Sequence, residues 1–273
     1  MIKKGIDISS YEENLKLKND IDFVILRGGF TGYGGTGTSK YKDNTFEDFY
    51  NQAKSLGIPT GVYWFSCANT YDKGKDEANF MYDNCLKGKR FEYPIYIDVE
   101  DEHHQANNKR GVTDAIKGFC ETLEAKGYYV GIYGSDISTF QEKVYLDELK
   151  DYDKWVARYG NSPKYVKNYQ MWQYSESGKY NGYTVDLDEC YMDYPTLIKE
   201  KGFNGYGKTA ISYKKGDSND TIAKVDDYLA NKVKGNYFGD YTEVTLNLFK
   251  KQNGLPADSI IDNETLDKMG INY

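Results

Sequence analysis

The stretch Tyr93-Pro94-Ile95-Tyr96-Ile97-Asp98-Val99-Glu100-Asp101 is an apolar run that breaks off into acids. Its β-branched and aromatic residues predict a strand. Residues i and i+2 of a strand share a face, so Asp98 and Glu100 become neighbours. If that strand belongs to a barrel, the shared face is the interior, and the strand end is the mouth where barrel sites sit.

Working outward, seven more short runs of this kind occur before Lys201: Lys4 to Ser9, Phe23 to Gly28, Thr60 to Ser66, Tyr128 to Tyr133, Lys154 to Tyr159, Tyr169 to Tyr174 and Thr184 to Leu187. Helical patterns fall between them near Thr45 to Leu56, Lys73 to Leu86, Thr113 to Ala125 and Ser138 to Leu149. In the second of these, Ala78, Met81, Tyr82 and Cys85 or Leu86 recur at helical spacing. Gly57, Gly88 and Gly127 stand just past helix ends, where a left-handed cap is wanted. Strands alternating with helices imply a parallel sheet with helical crossovers. Eight strands with fewer helices predict an α/β fold, an irregular β/α barrel of TIM-like type with some antiparallel strands. The alternative is an open doubly wound sheet. It lacks its glycine-rich phosphate fingerprint, because Asp7-Ile8-Ser9-Ser10 follows the first strand. The glycine-rich stretch Gly28 to Gly37 is expected either as a loop over the site or as a plain surface loop.

Composition shifts after Lys201. The expected organisation is a catalytic barrel over 1–202, a linker over 203–212 containing Phe203-Asn204-Gly205-Tyr206-Gly207, and a small three-helix domain over 213–273. In that domain Thr221 to Val233 sets Ile222, Val225, Leu229 and Val233 on one face. Tyr241 to Gln252 sets Val244, Leu248 and Phe249 on one face, and a last helix is expected over Asn263 to Met269.

The chain has 273 residues and a net charge of -7, with no dense Lys/Arg run, which argues against a nucleic-acid partner. Tyrosine occurs 28 times. It suits half-buried strands, and as a platform for sugar rings it favours a carbohydrate-facing protein only weakly. Cys67, Cys85, Cys120 and Cys190 form no C-x-x-C pair and are expected reduced and mostly buried. No transmembrane stretch is present, so no membrane partner is expected. The first residues carry Lys3 and Lys4 without an apolar segment behind them, so the chain is expected to be made in a cytoplasm without a secretory signal.

Acids also end the runs Gly5-Ile6-Asp7-Ile8 and Thr184-Val185-Asp186-Leu187-Asp188. Acids converging on one mouth raise each other's pKa, and partial burial adds to this. One carboxyl then keeps its proton while another stays ionised, the pair that glycoside hydrolysis uses. Three other readings stand beside it. The acids could simply solvate strand ends. The cluster from Asp98 to His104 could hold a metal, although adjacent His103 and His104 do not easily reach one ion. A nucleophilic serine or cysteine would need one of these histidines, and no G-x-S-x-G elbow occurs.

The ordered set of motifs is more specific than any one of them. It comprises Gly5-Ile6-Asp7-Ile8-Ser9-Ser10-Tyr11, Phe23-Val24-Ile25-Leu26-Arg27-Gly28, Gly61-Val62-Tyr63-Trp64-Phe65-Ser66, Tyr93 to Glu100, Gly131-Ile132-Tyr133, Trp155-Val156-Ala157-Arg158-Tyr159, Met171-Trp172-Gln173-Tyr174 and Val185-Asp186-Leu187-Asp188. Over roughly residues 1–201 this set resembles the glycoside hydrolase family 25 lysozymes. The resemblance implies a muramidase that cuts the β-1,4 bond after N-acetylmuramic acid in peptidoglycan, with no cofactor. It implies Glu100 as proton donor and Asp98 as support of the reactive centre. Direct attack by Asp98 and assistance to the substrate's own 2-acetamido group both remain open, with assistance favoured. Asp7 and Asp186 map to groove residues that bind the sugar, and Tyr63, Tyr133, Trp155, Tyr159 and Trp172 to aromatic positions of the cleft. A wall-binding lectin on the same barrel is the non-catalytic alternative. In the tail, Tyr213-Lys214-Lys215-Gly216-Asp217, Tyr237 to Glu243, Phe249 to Leu255 and Asp262 to Leu266 resemble a three-helix peptidoglycan-binding domain. Together the two resemblances imply an endolysin-type enzyme that reaches the wall through a holin, with an exported autolysin as the alternative.

Overall fold

The computed structural model describes residues 2–32, 39–101, 104, 106–207, 212–229 and 236–273. They fall into two compact units, Met1–Gly207 and Lys208–Tyr273.

The first unit contains strands β1 (Lys3–Ile8), β2 (Phe23–Thr31) and β3 (Lys40–Lys42), helix α1 (Phe46–Leu56), β4 (Thr60–Phe65), α2 (Tyr71–Met81), β5 (Ile95–Asp98), α3 (Lys109–Glu124), β6 (Val130–Ser135), β7 (Asp153–Ala157), β8 (Met171–Tyr180), β9 (Tyr183–Cys190) and α4 (Tyr194–Lys201). The strand order is β1-β9-β8-β7-β6-β5-β4-β2, and β1 pairs back onto β2, so eight strands close into a barrel with β3 added outside β2. From β1 through β2 and β4 to β8 neighbours run parallel. β9 runs antiparallel to both β8 and β1. The fold is the irregular α/β barrel that the alternation implies, and all eight expected strands are in it.

Period-two alternation sorts the side chains. Ile6, Val24, Leu26, Val62, Trp64, Ile95 and Ile97 face outward and pack under helix residues such as Phe49, Ala78, Met81, Ile116 and Phe119. Phe23, Ile25, Tyr96, Tyr133, Trp155 and Met171 face inward, with Tyr194 and Ile198 of α4 joining them below. Each fully buried side chain of this size stabilises the fold by roughly 1.5–3 kcal/mol. Gly131 leaves the space these rings need: a Cβ there would stand 2.5 Å from the Tyr96 ring. α1 ends at Gly57 in the left-handed region, with φ 70.

Several expectations need correction. Ser138 to Leu149 forms turns and one short 3-10 turn, Leu146–Leu149, not a helix. Thr139 Oγ1 donates to Val99 O at 2.7 Å, and the Ser135 N–H donates to Thr139 at 3.2 Å. These side-chain bonds draw the segment onto the end of β5 and compete with helix formation. The expected Lys73 to Leu86 helix continues past α2 as a π-helical turn, Tyr82–Leu86. Phe203 to Tyr206, expected as linker, belong to the first unit. Asn204 is buried, donates to Tyr93 O at 2.8 Å and accepts the Tyr129 N–H at 2.7 Å. Phe203 and Tyr206 pack on the interior cluster. Residues 208–211 of that linker, and 33–37 of the glycine-rich stretch, lie outside the described residues, while Gly28 to Thr31 are part of β2.

The second unit holds a short β10–β11 pair (Ser212–Tyr213 and Ile261–Asp262) with α5 (Asp220–Tyr228), α6 (Asp240–Gln252) and α7 (Asn263–Met269). Ile222, Val225, Phe238, Leu246, Ile261, Leu266 and Met269 form its core. Val233 lies outside the described residues. The inner face of α6 is set by Thr242, Leu246 and Lys250 at i, i+4 and i+8, all buried. Val244 and Leu248 therefore face solvent, at 69% and 56% exposure. Lys250 can sit inside because Asp258 accepts from it at 2.7 Å and Ile260 O at 2.8 Å. Among the described residues no helix is long and apolar enough to cross a membrane. Cys85, Cys120 and Cys190 are buried thiols, and Cys67 is half-buried.

Candidate active site

Above the aromatic floor the inward positions turn polar. A cleft of about 380 Å³ is lined by Asp7 from β1, Arg27 from β2, Tyr63 and Phe65 from β4, Asp98 and Glu100 at the end of β5, and Asp186 from β9. Glu12, Tyr11 and Glu176 complete its rim. The structure thus gathers Asp7, Tyr63, Asp98, Glu100 and Asp186 at one mouth, from strands up to 179 positions apart in sequence (186 − 7).

Asp98 is buried, and its Oδ1 has no hydrogen-bond partner among the described residues. Burial raises its pKa well above the carboxylate range, Glu100 pushes further the same way, and Arg27 opposes. Glu100 is exposed at the rim, but enough protein surrounds its carboxyl for desolvation to raise its pKa; Lys143 opposes and Asp101 adds to the rise. Lys143 reaches this corner by donating to Glu100 O at 3.3 Å and Asp101 O at 3.5 Å.

Across the cleft, Asp7 and Asp186 are cross-strand partners, and Gly5 pairs with Asp188. Asp7 is raised by burial and then by Asp188 and Asp186. Asp186 is raised to about 6, by burial and then by Glu12 and Glu100. Asp188 is buried; it accepts from Trp155 Nε1 at 2.8 Å and lies within hydrogen-bond reach of Asp7. Its Oδ2 has no hydrogen-bond partner among the described residues, and burial raises its pKa well above the carboxylate range.

The aromatic positions divide. Tyr63 lines the cleft and meets Trp155 edge-on at 6.2 Å. Tyr133 packs 4.4 Å from Trp155. Trp155 itself is buried in the floor beneath the cleft. Tyr159 is exposed and reaches the cleft floor by donating to Gln173 at 3.2 Å. Trp172 does not join them. It donates to Arg158 O at 2.7 Å and lies against Tyr174, on the opposite face of β8 from Gln173.

Sequence reasoning passed over Gln173, Arg27 and Glu12 as site residues. Gln173 had a signal: it lies two positions after Met171, an inward residue. Arg27 is buried between the rings of Tyr11 and Phe30, each 5.3 Å away. It donates to Asp43 at 2.7 Å and to Ser10 at 2.6 Å. Burial works against Asp43 ionising, but Thr45 and Arg27 hold it below the usual carboxylate range. His104 Nε2 bonds to Ala68 O at 3.0 Å, and His103 lies outside the described residues. Among the described residues no group of three or more His, Cys, Asp and Glu is arranged to hold a metal ion.

A family model described as glycosyl hydrolases family 25 matches residues 6–183. The autolytic lysozyme of Clostridium acetobutylicum is 30% identical over 193 residues, a span covering 68% of this chain and 55% of that protein. The chain thus spans little more than half of that relative. Among solved structures, the CTP1L endolysin has a similar fold, with a TM-score of 0.61 at 23% identity over 84% of this chain and 80% of that one. The modular autolysin LytC from Streptococcus pneumoniae, solved with a synthetic peptidoglycan ligand, superposes with a TM-score of 0.58 at 27% identity, over 70% of this chain and 47% of that one.

Proposed function

The chain belongs to glycosyl hydrolases family 25, and from that membership we propose that it is a muramidase, hydrolysing the β-1,4 bond between N-acetylmuramic acid and N-acetylglucosamine in peptidoglycan. The observation that carries the reading is the pair at the end of β5: a buried aspartate with an unpartnered oxygen beside a glutamate whose pKa desolvation raises, at the rim of an open cleft. Glu100 gives its proton to the leaving glycosidic oxygen. Asp98 faces the oxocarbenium-like centre that follows, and its unpartnered oxygen suits the N–H of the 2-acetamido group when that group assists. Asp7, Asp186 and the cleft tyrosines hold the sugar. Desolvation is what raises the pKa of Glu100; the Lys143 charge opposes it, and Asp101 adds to the rise.

Purified walls digested by the protein, reduced with borohydride and analysed by mass spectrometry, are expected to show muramic acid at the new reduced ends. Glucosamine at those ends would replace the reading with another glycosidase. The second unit is assigned as a wall anchor that raises the barrel's effective concentration on its substrate. Full-length Glu100→Gln protein is expected to sediment with purified walls, and its recovery in the supernatant would remove that role. The related proteins include endolysins and autolysins. An endolysin role requires release through a holin, and a holin gene beside this one distinguishes it from an exported autolysin.

A further inference from the structure

We propose that Gln173 is the positioning residue of this cleft: one side-chain amide ties Asp7 to Asp186 and turns the Tyr133 and Tyr159 hydroxyls so that both meet a sugar as hydrogen-bond acceptors. The inference rests on the muramidase reading for the identity of the sugar, but not for the network itself.

Gln173 is 1% exposed and inward on β8. Its Nε2 donates to Asp7 Oδ2 at 2.8 Å and to Asp186 Oδ2 at 3.3 Å. Its Oε1 accepts from Tyr133 at 2.8 Å and from Tyr159 at 3.2 Å. An amide has two N–H donors and two lone pairs, so the full capacity of this one is used. The acids decide which way it points. Turned over, it would set a carbonyl against Asp186 Oδ2, and that carboxyl, raised only to about 6, is ionised near neutral pH and cannot donate. A phenol has one proton, and both tyrosines spend theirs on Gln173. Their outward lone pairs then match the donors of a peptidoglycan glycan, its hydroxyls and acetamido N–H groups. The backbone supports this aim: Gln173 pairs with Ala157 on one side and Asp188 on the other, and the β8–β9 register breaks immediately after it. A break of this kind re-aims side chains and recurs beside active sites.

The test compares wild type with Gln173→Met and Gln173→Glu in the full chain, with thermal melts for each. Carbon-13 titration of the aspartate carboxyls needs no activity. Loss of the amide donor in Gln173→Met is expected to raise the midpoints of Asp7 and Asp186, and wild-type midpoints would overturn the proposal. In Gln173→Glu the new carboxylate repels both acids. Its kcat/KM on purified walls is expected to fall roughly 100-fold near neutral pH. It should recover on acidification, as the new carboxyl gains a proton and donates as the amide did. A Gln173→Glu pH profile superimposable on wild type, with only the melting temperature changed, is what a merely structural residue would give and also overturns it. If wild type digests no wall, the muramidase reading fails while the carboxyl titration still decides the role of Gln173.

Discussion

Asp98 and Glu100 on one side of the cleft, and Asp7, Asp186 and Asp188 on the other, carry the same functional group in opposite circumstances. The second group is tied in: Gln173 donates to two of its members, Trp155 to the third, and Asp7 and Asp188 lie within hydrogen-bond reach of each other. The first group is open to the cleft, with Asp98 Oδ1 unpartnered and Glu100 exposed at the rim, whereas the one unpartnered oxygen of the second, Asp188 Oδ2, is buried outside the cleft lining. A buried polar atom without a partner is costly in the empty protein, and a substrate donor relieves that cost. On the proposed muramidase reading, the difference suits the open pair to chemistry and the tied trio to geometry.

The largest expected effect breaks the open pair. Glu100→Gln should lower the rate of wall clearing about 1,000-fold, the range of a lost general acid. Its melting temperature should stay within about 2 °C, because the side chain is exposed. Unchanged clearing would remove the reading altogether. Asp98→Asn is expected to cost about 100-fold and Asp7→Asn about 10-fold, measured as kcat/KM on the same walls. Equal losses at the two positions would erase the division of labour.

An acid outside both groups sharpens the contrast. Glu77 is buried away from the cleft lining yet fully engaged, accepting from Ser66 at 2.6 Å and from the Cys67 N–H at 3.1 Å. Burial still raises it to about 7, against 4.5 for the ordinary group. The folded state therefore binds this proton more tightly than the unfolded chain does. The contribution of Glu77 to stability is fullest below the unfolded value and is lost as pH rises from about 4.5 toward 7. The drop in melting temperature between pH 5 and pH 8 should shrink by about 5 °C in Glu77→Gln, and an unaltered slope would contradict the assignment. The smallest effect is expected at Trp172→Ala, whose kcat/KM should stay within about threefold of wild type, since its ring lies on the far side of β8. A tenfold loss would return it to the cleft.

β5 and its acids were legible because a short apolar, β-branched run that breaks off into carboxylates marks a strand and its end. So were the eight strands, because each is a short run between turn residues. The network behind the site was not legible: Gln173 reaches Asp7 across 166 positions, and Arg27 reaches Asp43 across 16. At Met171-Trp172-Gln173 residue type points to the large ring, whereas alternation from the inward Met171 places the smaller amide in the interior. In α6 the buried face runs through Thr242 and Lys250, polar residues that only their partners make tolerable inside. Ser138 to Leu149 has helical composition, and the bonds that Thr139 makes to Val99 and Ser135 compete with a helix there.

The indole of Trp155 ends on the carboxyl of Asp188. The emission of an indole responds to charge beside its N–H, so any titration of Asp188 gives the protein its own indicator beneath the cleft. With Trp64 and Trp172 replaced by phenylalanine, fluorescence from the remaining tryptophan would follow the protonation of the barrel interior in real time, with no dye, substrate or lysing cell in the cuvette.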